Sequence, residues 1–276
     1  MFPFSADVSV TESNLKYRGL PGGESNPVSN VAVQSDGQPV LSIVVPAFNE
    51  GGRIGTSIKQ IDAFMRQSSI SCELIVVDDG SKDNTTDIVL KAGVQGLRLV
   101  RNNVNCGKGY SVRHGVLAAS GTHVLFTDAD LSAPIEEAAN LFELAAREGA
   151  DIVIGSRAVD RTCIEKHQSR LRELGGIVFN LMVRSLLGLR LHDTQCGFKL
   201  FRSESCRPIF EMQTTPGFGF DAELLFLAKK RGLKILETPV RWSHAEGSKV
   251  SFCRDSMRMF SDLFRIRWNA LMGKYS

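Results

Sequence analysis

Short apolar runs alternate along the chain with longer amphipathic stretches. The alternation predicts strands at 41–46, 73–78, 97–101, 123–128 and 151–155, and helices near 53–67, 84–92, 108–119 and 135–148. Continuous runs such as Leu74-Ile75-Val76-Val77 are typical of strands that are buried on both faces. The pattern therefore predicts an α/β fold with a mostly parallel sheet and helices on both of its faces.

The regular alternation ends after residue 157. Helix 170–187, a loop at 193–197, strand 198–202, helix 219–230 and strand 234–240 are predicted there. We interpret this part as a second lobe on the same sheet. Residues 1–39 are rich in Ser, Gly, Pro, Asn and Val and show no sustained period, so we expect a mobile arm. The folded domain is then expected to cover residues 40–248.

Residues 249–276 differ from the rest in charge and pattern. Apolar residues recur at three- or four-residue spacing between 250 and 272, with arginines over much of the remainder, which predicts a basic amphipathic helix. Six Lys or Arg and two Asp give this segment a charge of +4, whereas the whole chain carries +3. Such a helix could lie in a membrane interface, or it could pack on the domain with a solvated basic side.

Acidic residues follow three of the predicted strands. Glu50 follows the first, Asp78 and Asp79 end the second, and Asp-Ala-Asp at 128–130 ends the fourth. Since the carboxyl ends of parallel strands form the ligand-binding edge of an open α/β sheet, we expect these acids at one site. Carboxylates two residues apart on an extended chain point the same way and suit Mg²⁺ or Mn²⁺ on a diphosphate. The alternatives are a turn begun by the two aspartates at 128–130 and a helix cap at Asp79.

Several classes of protein are disfavoured by the composition. The six cysteines are scattered without a C-x-x-C pair, so neither a zinc site nor a disulfide framework is expected. We expect neither a signal peptide nor a transmembrane helix, because the N-terminus lacks a basic-then-apolar pattern and no apolar run reaches about 18 residues. Positive charge is concentrated in the C-terminal segment and no nucleic-acid-binding motif is present, so no nucleic-acid partner is expected.

Seven motifs stand in the order and spacing of glycosyltransferase family 2. They are Val44-Val45-Pro46-Ala47-Phe48-Asn49-Glu50, Val76-Val77-Asp78-Asp79-Gly80-Ser81, Asn105-Cys106-Gly107-Lys108-Gly109, Asp128-Ala129-Asp130, Gly155-Ser156-Arg157, the segment from Asp193 to Phe201, and the segment from Arg241 to Lys249. Over about residues 40–270 the chain resembles the dolichyl-phosphate β-glucosyltransferases and their prokaryotic polyprenyl-phosphate relatives. The resemblance implies a GT-A nucleotide-sugar fold.

The resemblance also implies roles for the acidic strand ends. The loop Pro46-Ala47-Phe48-Asn49-Glu50 would hold the base and ribose, and Asp79 would accept a hydrogen bond from the pyrimidine N–H, while Asp78 could be structural. In the Asp128-Ala129-Asp130 motif, Asp130 would be the firmer metal ligand and Asp128 would approach the ribose or the metal.

Basic residues are candidates for contacts with phosphate. Lys108 stands between two glycines at a predicted helix start, which favours an anion, although a plain loop-to-helix turn explains the motif nearly as well. By resemblance Arg157 contacts the sugar nucleotide or the acceptor phosphate. Lys199 and Arg202 could bind the acceptor phosphate or be solvated strand residues. His244, on a loop with Glu246 and Lys249, could touch the diphosphate or have no role.

Asp193 is the main acidic candidate of the second lobe. By resemblance its loop lies over the donor sugar, where it could act as a general base or hold a hydroxyl or cation in place. A base is not obligatory, because a lipid phosphate is already largely anionic at neutral pH. Asp221 and Glu223 are weaker candidates, since acids at a helix start also favour the helix dipole.

Together with these residues, the resemblance implies a metal-dependent glycosyltransferase, and it is the resemblance alone that implies inversion. We expect a UDP-sugar donor, UDP-glucose in the first place, a polyprenyl or dolichyl monophosphate acceptor, and Mg²⁺ or Mn²⁺. GDP-mannose with a lipid phosphate, or a UDP-sugar with a soluble acceptor, are the alternatives. The expected location is cytoplasmic, peripheral on the cytoplasmic face of a membrane, and the sequence leaves the oligomeric state open.

Overall fold

A computed structural model describes residues 38–166, 170–244 and 252–275. The strands are β1 (Leu41–Ala47), β2 (Cys72–Asp78), β3 (Leu97–Arg101), β4 (His123–Thr127), β5 (Ile152–Ser156), β6 (Ile164–Lys166), β7 (Phe198–Arg202), β8 (Ile235–Pro239) and β9 (Trp242–Ser243). The helices are α1 (Ile54–Gln67), α2 (Thr85–Leu90), α3 (Lys108–Ala118), α4 (Glu137–Glu148), α5 (Arg170–Leu187), α6 (Ser203–Met212), α7 (Phe220–Lys230) and α8 (Phe252–Leu271).

Among the described residues the main sheet has seven strands in the order β3-β2-β1-β4-β7-β5-β8, and β6 pairs with β9 in a small second sheet. In the main sheet β7 alone runs antiparallel to its neighbours β4 and β5. The sheet is therefore mostly parallel, as predicted. Because β7 lies between β4 and β5, the second lobe belongs to the same sheet.

Two apolar cores lie on opposite faces of this sheet. Along β1, Val44 belongs to one core, whereas Ile43 and Val45 belong to the other, as the alternation of side chains on a strand requires. The first core includes residues of α3, α5, α6, α7 and α8, and the second includes residues of α1 and α4. Helices on both faces are confirmed. Strands β1, β2, β4, β5 and β7 are almost wholly buried between them, which explains their uninterrupted apolar runs, whereas the edge strand β3 is only partly buried.

The sequence pattern did not reveal helix α6 or the short strands β6 and β9. Helix α6 begins at Ser203, directly after β7, and contains Pro208, so no loop signal separates it from the strand. Strands β6 and β9 have three and two residues and are too short to show a period. The other strands and helices lie within three residues of the predicted bounds.

The C-terminal helix α8 packs on the domain through one face. Leu263 and Ile266 are fully buried, and the Phe260 ring lies 5.7 Å from that of Phe179 on α5. The opposite face leaves Phe264 and Trp268 exposed. Within 38–166, 170–244 and 252–275, no helix has the length and apolar character needed to span a bilayer.

Candidate active site

The carboxyl ends of β1, β2 and β4 form one edge of the sheet, and the loop before β7 reaches the same edge. Because β7 runs antiparallel, its first residue Phe198 pairs with Thr127 at the end of β4. Its last residue, Arg202, pairs with His123 at the start of β4, about 13 Å away along the strand. The structure therefore brings the 193–197 loop to this edge and does not bring Arg202, the predicted acceptor contact.

The Asp128–Asp130 segment forms a tight turn after β4. Asp130 Oδ1 accepts a hydrogen bond from Ser132 N at 3.0 Å, and Leu131 adopts φ 47°, a left-handed conformation that is uncommon outside glycine. The buried Ala129 is held through its carbonyl, which accepts from Ser57 Oγ at 2.6 Å. Contacts of this kind fix a backbone conformation that would otherwise be strained. Both carboxylates of the turn are partly exposed.

Each carboxylate of this turn has a basic neighbour. Lys108 Nζ lies 2.7 Å from Asp128 Oδ1, and Arg53 Nη1 lies 3.8 Å from Asp130 Oδ2. Burial would lower the pKa of Lys108, but the charges of Asp128 and Asp221 outweigh it and raise that pKa. Arg53 also forms a two-point ion pair with Glu50. The sequence analysis missed Arg53, although its position three residues after Glu50 at the start of α1 is a signal for such a pair.

The donor atoms of the turn fit a divalent cation that is shared with a diphosphate. Within the described parts of the chain, no three His, Cys, Asp or Glu side chains are grouped as a metal site. Mg²⁺ commonly binds through one or two carboxylates and completes its shell with substrate phosphates and water. Asp128 and Asp130 provide such a partial set.

The first two strand ends are bonded to each other. Pro46 and Ala47 pair in register with Val77 and Asp78, and beyond them Glu50 N donates to Thr85 Oγ1 at 2.8 Å. Asn49, at φ 54°, donates from its N–H to Ser81 Oγ and accepts from Lys82 N, both at 2.8 Å. Phe48 is half-buried beside it. These hydrogen bonds hold the 46–50 loop to the segment that follows β2.

Asp78 and Asp79 are both buried, and the carboxylate of each accepts hydrogen bonds from backbone N–H groups. Asp78 accepts from Ser81 N at 2.9 Å and from Thr86 Oγ1 at 2.5 Å. Asp79 accepts from Asn102 Nδ2 at 2.7 Å, and from the backbone N–H groups of residues 106 and 107 at 2.9 and 2.8 Å. A carboxylate has about four acceptor positions, and these three donors use three of them. It anchors the turn that carries Lys108.

Arg157 and Asp193 form a bidentate ion pair at the end of β5. Arg157 donates from Nε to Asp193 Oδ2 at 2.6 Å and from Nη2 to Oδ1 at 2.9 Å. Burial would raise the pKa of Asp193, but the charge of Arg157 and its hydrogen bonds outweigh burial and lower that pKa to about 2. Burial would lower the pKa of Arg157, but the charge of Asp193 and the hydrogen bonds to it outweigh that effect and raise the pKa. The guanidinium also lies over the Trp242 ring, 5.4 Å from its centre.

The Asp193 loop is held from two sides by residues that sequence reasoning missed. Glu237 on β8 accepts from Asp193 N at 2.7 Å and from His192 N at 2.8 Å. Asn180 on α5 donates to the carbonyls of Leu191 and His192 at 3.0 and 2.9 Å. Asn180 was visible in the sequence only as a polar interruption of an apolar helix.

Lys199 is buried in a different pair. Its side chain is 1% exposed, and Nζ donates to Asp221 Oδ1 at 2.6 Å and to the Cys196 carbonyl. Burial raises the pKa of Asp221, although Lys199 and Lys108 oppose that rise. Lys199 is therefore not a solvated strand residue, and it is not open to an incoming phosphate. Asp221, in contrast, lies close enough to the site to influence Lys108.

The segment after β8 covers one side of the turn. Ser243 N donates to Ser132 O at 2.8 Å, and His244 stacks on Trp242 with ring centres 6.1 Å apart. Asp128, Ser132 and Trp242 line one small cavity together with Gly197. A Cβ at Gly197 would lie 2.0 Å from Asp128 Oδ2, so any larger residue there would displace the Asp128 carboxylate. The predicted loop residues Glu246 and Lys249 lie outside the described residues.

Comparison with known proteins identifies a family. The model of glycosyl transferase family 2 matches residues 42–210. A dolichyl-phosphate β-glucosyltransferase of Dictyostelium discoideum is 34% identical over 90% of this chain and 77% of its own length. The corresponding protein of Saccharomyces cerevisiae is 35% identical over 88% of this chain and 78% of its own length. The human protein of that name is 32% identical over 85% and 77%.

Solved structures share the fold. The glucosyl-3-phosphoglycerate synthase of Mycobacterium tuberculosis, solved in complex with Mn²⁺, UDP-glucose and phosphoglyceric acid, superposes with a TM-score of 0.61. The match covers 83% of this chain and 80% of that one at 23% identity. The same protein in complex with UDP gives a TM-score of 0.61 at 23% identity. The mixed α/β architecture with a mostly parallel sheet is thus that of a GT-A glycosyltransferase.

Proposed function

The chain belongs to glycosyltransferase family 2, and we propose that it transfers glucose from UDP-glucose to dolichyl or polyprenyl phosphate. Its relatives among the dolichyl-phosphate β-glucosyltransferases are 32–35% identical over most of their length. The observation that carries the proposal is the convergence of the Asp128–Asp130 turn, Lys108 and the Arg157–Asp193 pair at one sheet edge. That edge offers carboxylates for a cation and basic groups for phosphates.

The proposed reaction is a single displacement with inversion. An oxygen of the lipid phosphate forms a bond to the anomeric carbon of glucose while the bond from that carbon to UDP breaks. Lys108 and Arg157 would bind phosphate oxygens, and the 46–50 loop with Asp79 would hold the nucleoside. A divalent cation, Mg²⁺ or Mn²⁺, held by Asp130 with Asp128 would supply positive charge for the departing UDP.

A donor panel tests this proposal. Purified protein with Mn²⁺ is offered radiolabelled UDP-glucose, UDP-N-acetylglucosamine or GDP-mannose, each with and without a short polyprenyl phosphate. We expect lipid-extractable label from UDP-glucose alone. Lipid-extractable label from GDP-mannose would show that the enzyme transfers mannose instead of glucose. Label found only in water-soluble products would show that the acceptor is soluble and not a lipid. Repeating the reaction with Mg²⁺ in place of Mn²⁺ compares the two metals.

For a lipid acceptor we further propose that α8 holds the enzyme on a membrane surface. Exposed apolar side chains line its outer face and the segment just after it: Met257, Phe264, Trp268, Leu271 and Met272. Arg265 and Arg267 flank them. The neighbouring helix α5 exposes a second apolar stripe at Leu174, Ile177, Val178 and Leu181. An exposed apolar face bordered by arginines suits an anionic lipid interface.

Vesicle binding provides a matched test. Leu271 on α8 is 70% exposed and Leu90 on α2 is 68% exposed, so Leu271→Ser and Leu90→Ser remove the same apolar side chain from equally exposed sites. We expect Leu271→Ser to weaken co-sedimentation with phosphatidylcholine–phosphatidylglycerol vesicles by up to about tenfold, and Leu90→Ser to leave it unchanged. Equal binding by both variants would rule out α8 as the anchor.

A further inference from the structure

Glu223 is a fully buried carboxylate that the proposed reaction does not use. It lies in the first turn of α7 with no exposed surface. Its Oε1 accepts from Thr214 N at 3.0 Å and from Thr214 Oγ1 at 2.6 Å, and its Oε2 accepts from Thr215 N at 2.7 Å. Its side chain thus faces the 214–215 loop, unlike that of Asp221, which faces Lys199.

Helix α8 and the residues that follow it complete this cluster. Tyr275, 4% exposed, donates from its hydroxyl to Glu223 Oε1 at 2.5 Å. Asn269 on α8 is also buried, and its Nδ2 donates to Thr214 Oγ1 at 3.3 Å. We call Glu223, Thr214, Asn269 and Tyr275 the C-terminal latch. A buried polar network whose members satisfy one another fixes the elements that it joins.

The loop held by the latch packs directly on the turn that carries Lys108. Pro216 O accepts from Tyr110 N at 3.1 Å, and Gln213 Nε2 donates to Gly109 O at 2.9 Å. A Cβ at Gly107 would lie 2.5 Å from Pro216 O, so the two backbones are in contact. Lys108 itself lies near the Phe218 ring, 5.9 Å from its centre.

We propose that Glu223 and Tyr275 are positioning residues for donor binding. Through the 213–218 loop they set the backbone of the Gly107–Gly109 turn, and so the place from which Lys108 meets the donor diphosphate. This inference rests on the proposed function for the identity of the ligand. It assigns to α8, beyond any contact with a membrane, a structural link to the nucleotide site.

The test removes one hydroxyl from the latch and one from a control site. Tyr275→Phe keeps the ring against Phe226 and loses the bond to Glu223. The control is Ser203→Ala, whose hydroxyl donates to Gly121 O at the opposite end of the sheet. We expect Tyr275→Phe to raise the Kd for UDP in the presence of Mn²⁺ about fivefold, the size of one hydrogen bond, with Ser203→Ala unchanged.

Peptide-level hydrogen exchange supplies a second readout. The backbone amides of residues 108–111 should exchange faster in Tyr275→Phe than in Ser203→Ala when the two variants are compared at equal Tm. Glu223→Gln should show the same faster exchange at these residues. If Tyr275→Phe and Ser203→Ala had equal exchange rates and equal affinities for UDP, the positioning role of the C-terminal latch would be wrong. Failure of the wild type to bind UDP would instead overturn the proposed function, so the two failures are distinguishable.

Discussion

Asp130→Asn is expected to reduce transfer from UDP-glucose by about a thousandfold while leaving the fold intact. The asparagine oxygen can still accept the hydrogen bond from Ser132 N, so the strained turn at Leu131 is preserved. What is lost is the carboxylate charge that would hold the cation and, through it, stabilise the departing UDP, a contribution of several kcal/mol. The measurements are initial rates of transfer and the Kd for UDP with and without Mn²⁺.

The control for this variant is Asp62→Asn on α1, which removes a surface carboxylate paired with Arg66 at 3.0 Å. Exposed pairs of this kind contribute little, so its rate and Tm should match those of the wild type. In Asp130→Asn, Mn²⁺ should no longer tighten UDP binding. Activity above a tenth of the wild-type rate, with the Mn²⁺ effect intact, would contradict the role of Asp130.

The sheet was predictable because its strands carry strong local signals. Buried runs such as those at 41–46 and 73–78 and the acids that end them are visible without tertiary information. The position of β7 was not predictable in the same way, because pairing between β4 and β5 is decided by contacts far apart in sequence. That placement brings the 193–197 loop to the site and takes Arg202 to the opposite end.

The candidate site shows the same division between local and long-range information. The turn at 128–130 and the 46–50 loop follow strands directly, so their side chains reach the edge by strand geometry alone. The partners of these groups come from elsewhere in the chain. Arg53 contacts Asp130 and Glu237 accepts a hydrogen bond from Asp193 N, and neither contact is visible in the sequence because each depends on the fold. The sequence left Lys199 as an acceptor-phosphate contact or a solvated strand residue for the same reason, since its partner Asp221 lies on a helix further along the chain.

The geometry of Asp193 favours a positioning role over that of a general base. Its Oδ1 accepts from Arg157 Nη2 and Gln195 N, and its Oδ2 accepts from Arg157 Nε and Arg157 N. Four donors occupy all the usual acceptor positions of a carboxylate. With a pKa lowered to about 2, the group has little tendency to take a proton near neutral pH. We propose that Asp193 orients Arg157, leaving the lipid phosphate to attack as an anion.

Asp193→Asn is therefore expected to lower both stability and activity through Arg157. The substitution leaves the guanidinium, 27% exposed on its side chain, without its carboxylate, at a cost of about 2 kcal/mol in the free energy of unfolding. Transfer should fall about a hundredfold, and adding Arg157→Ala should lower it little further, because the two residues act as one unit. Asp151→Asn, at the opposite end of β5, where the carboxylate accepts from Lys234 N at 2.9 Å, is the matched control.

The pH dependence separates the positioning role from base catalysis. Since the pKa of Asp193 is about 2 in the folded state and 3.8 is its reference value, the ion pair contributes its full stability above about pH 4 and loses it as pH falls toward 2. A positioning carboxylate then gives no ionisation of its own in the kcat profile between pH 5 and 8, and Asp193→Asn lowers that profile without changing its shape. If the wild-type kcat instead fell toward the acidic end of this range through an ionisation that Asp193→Asn abolished, Asp193 would be the base and the lipid phosphate would need its help.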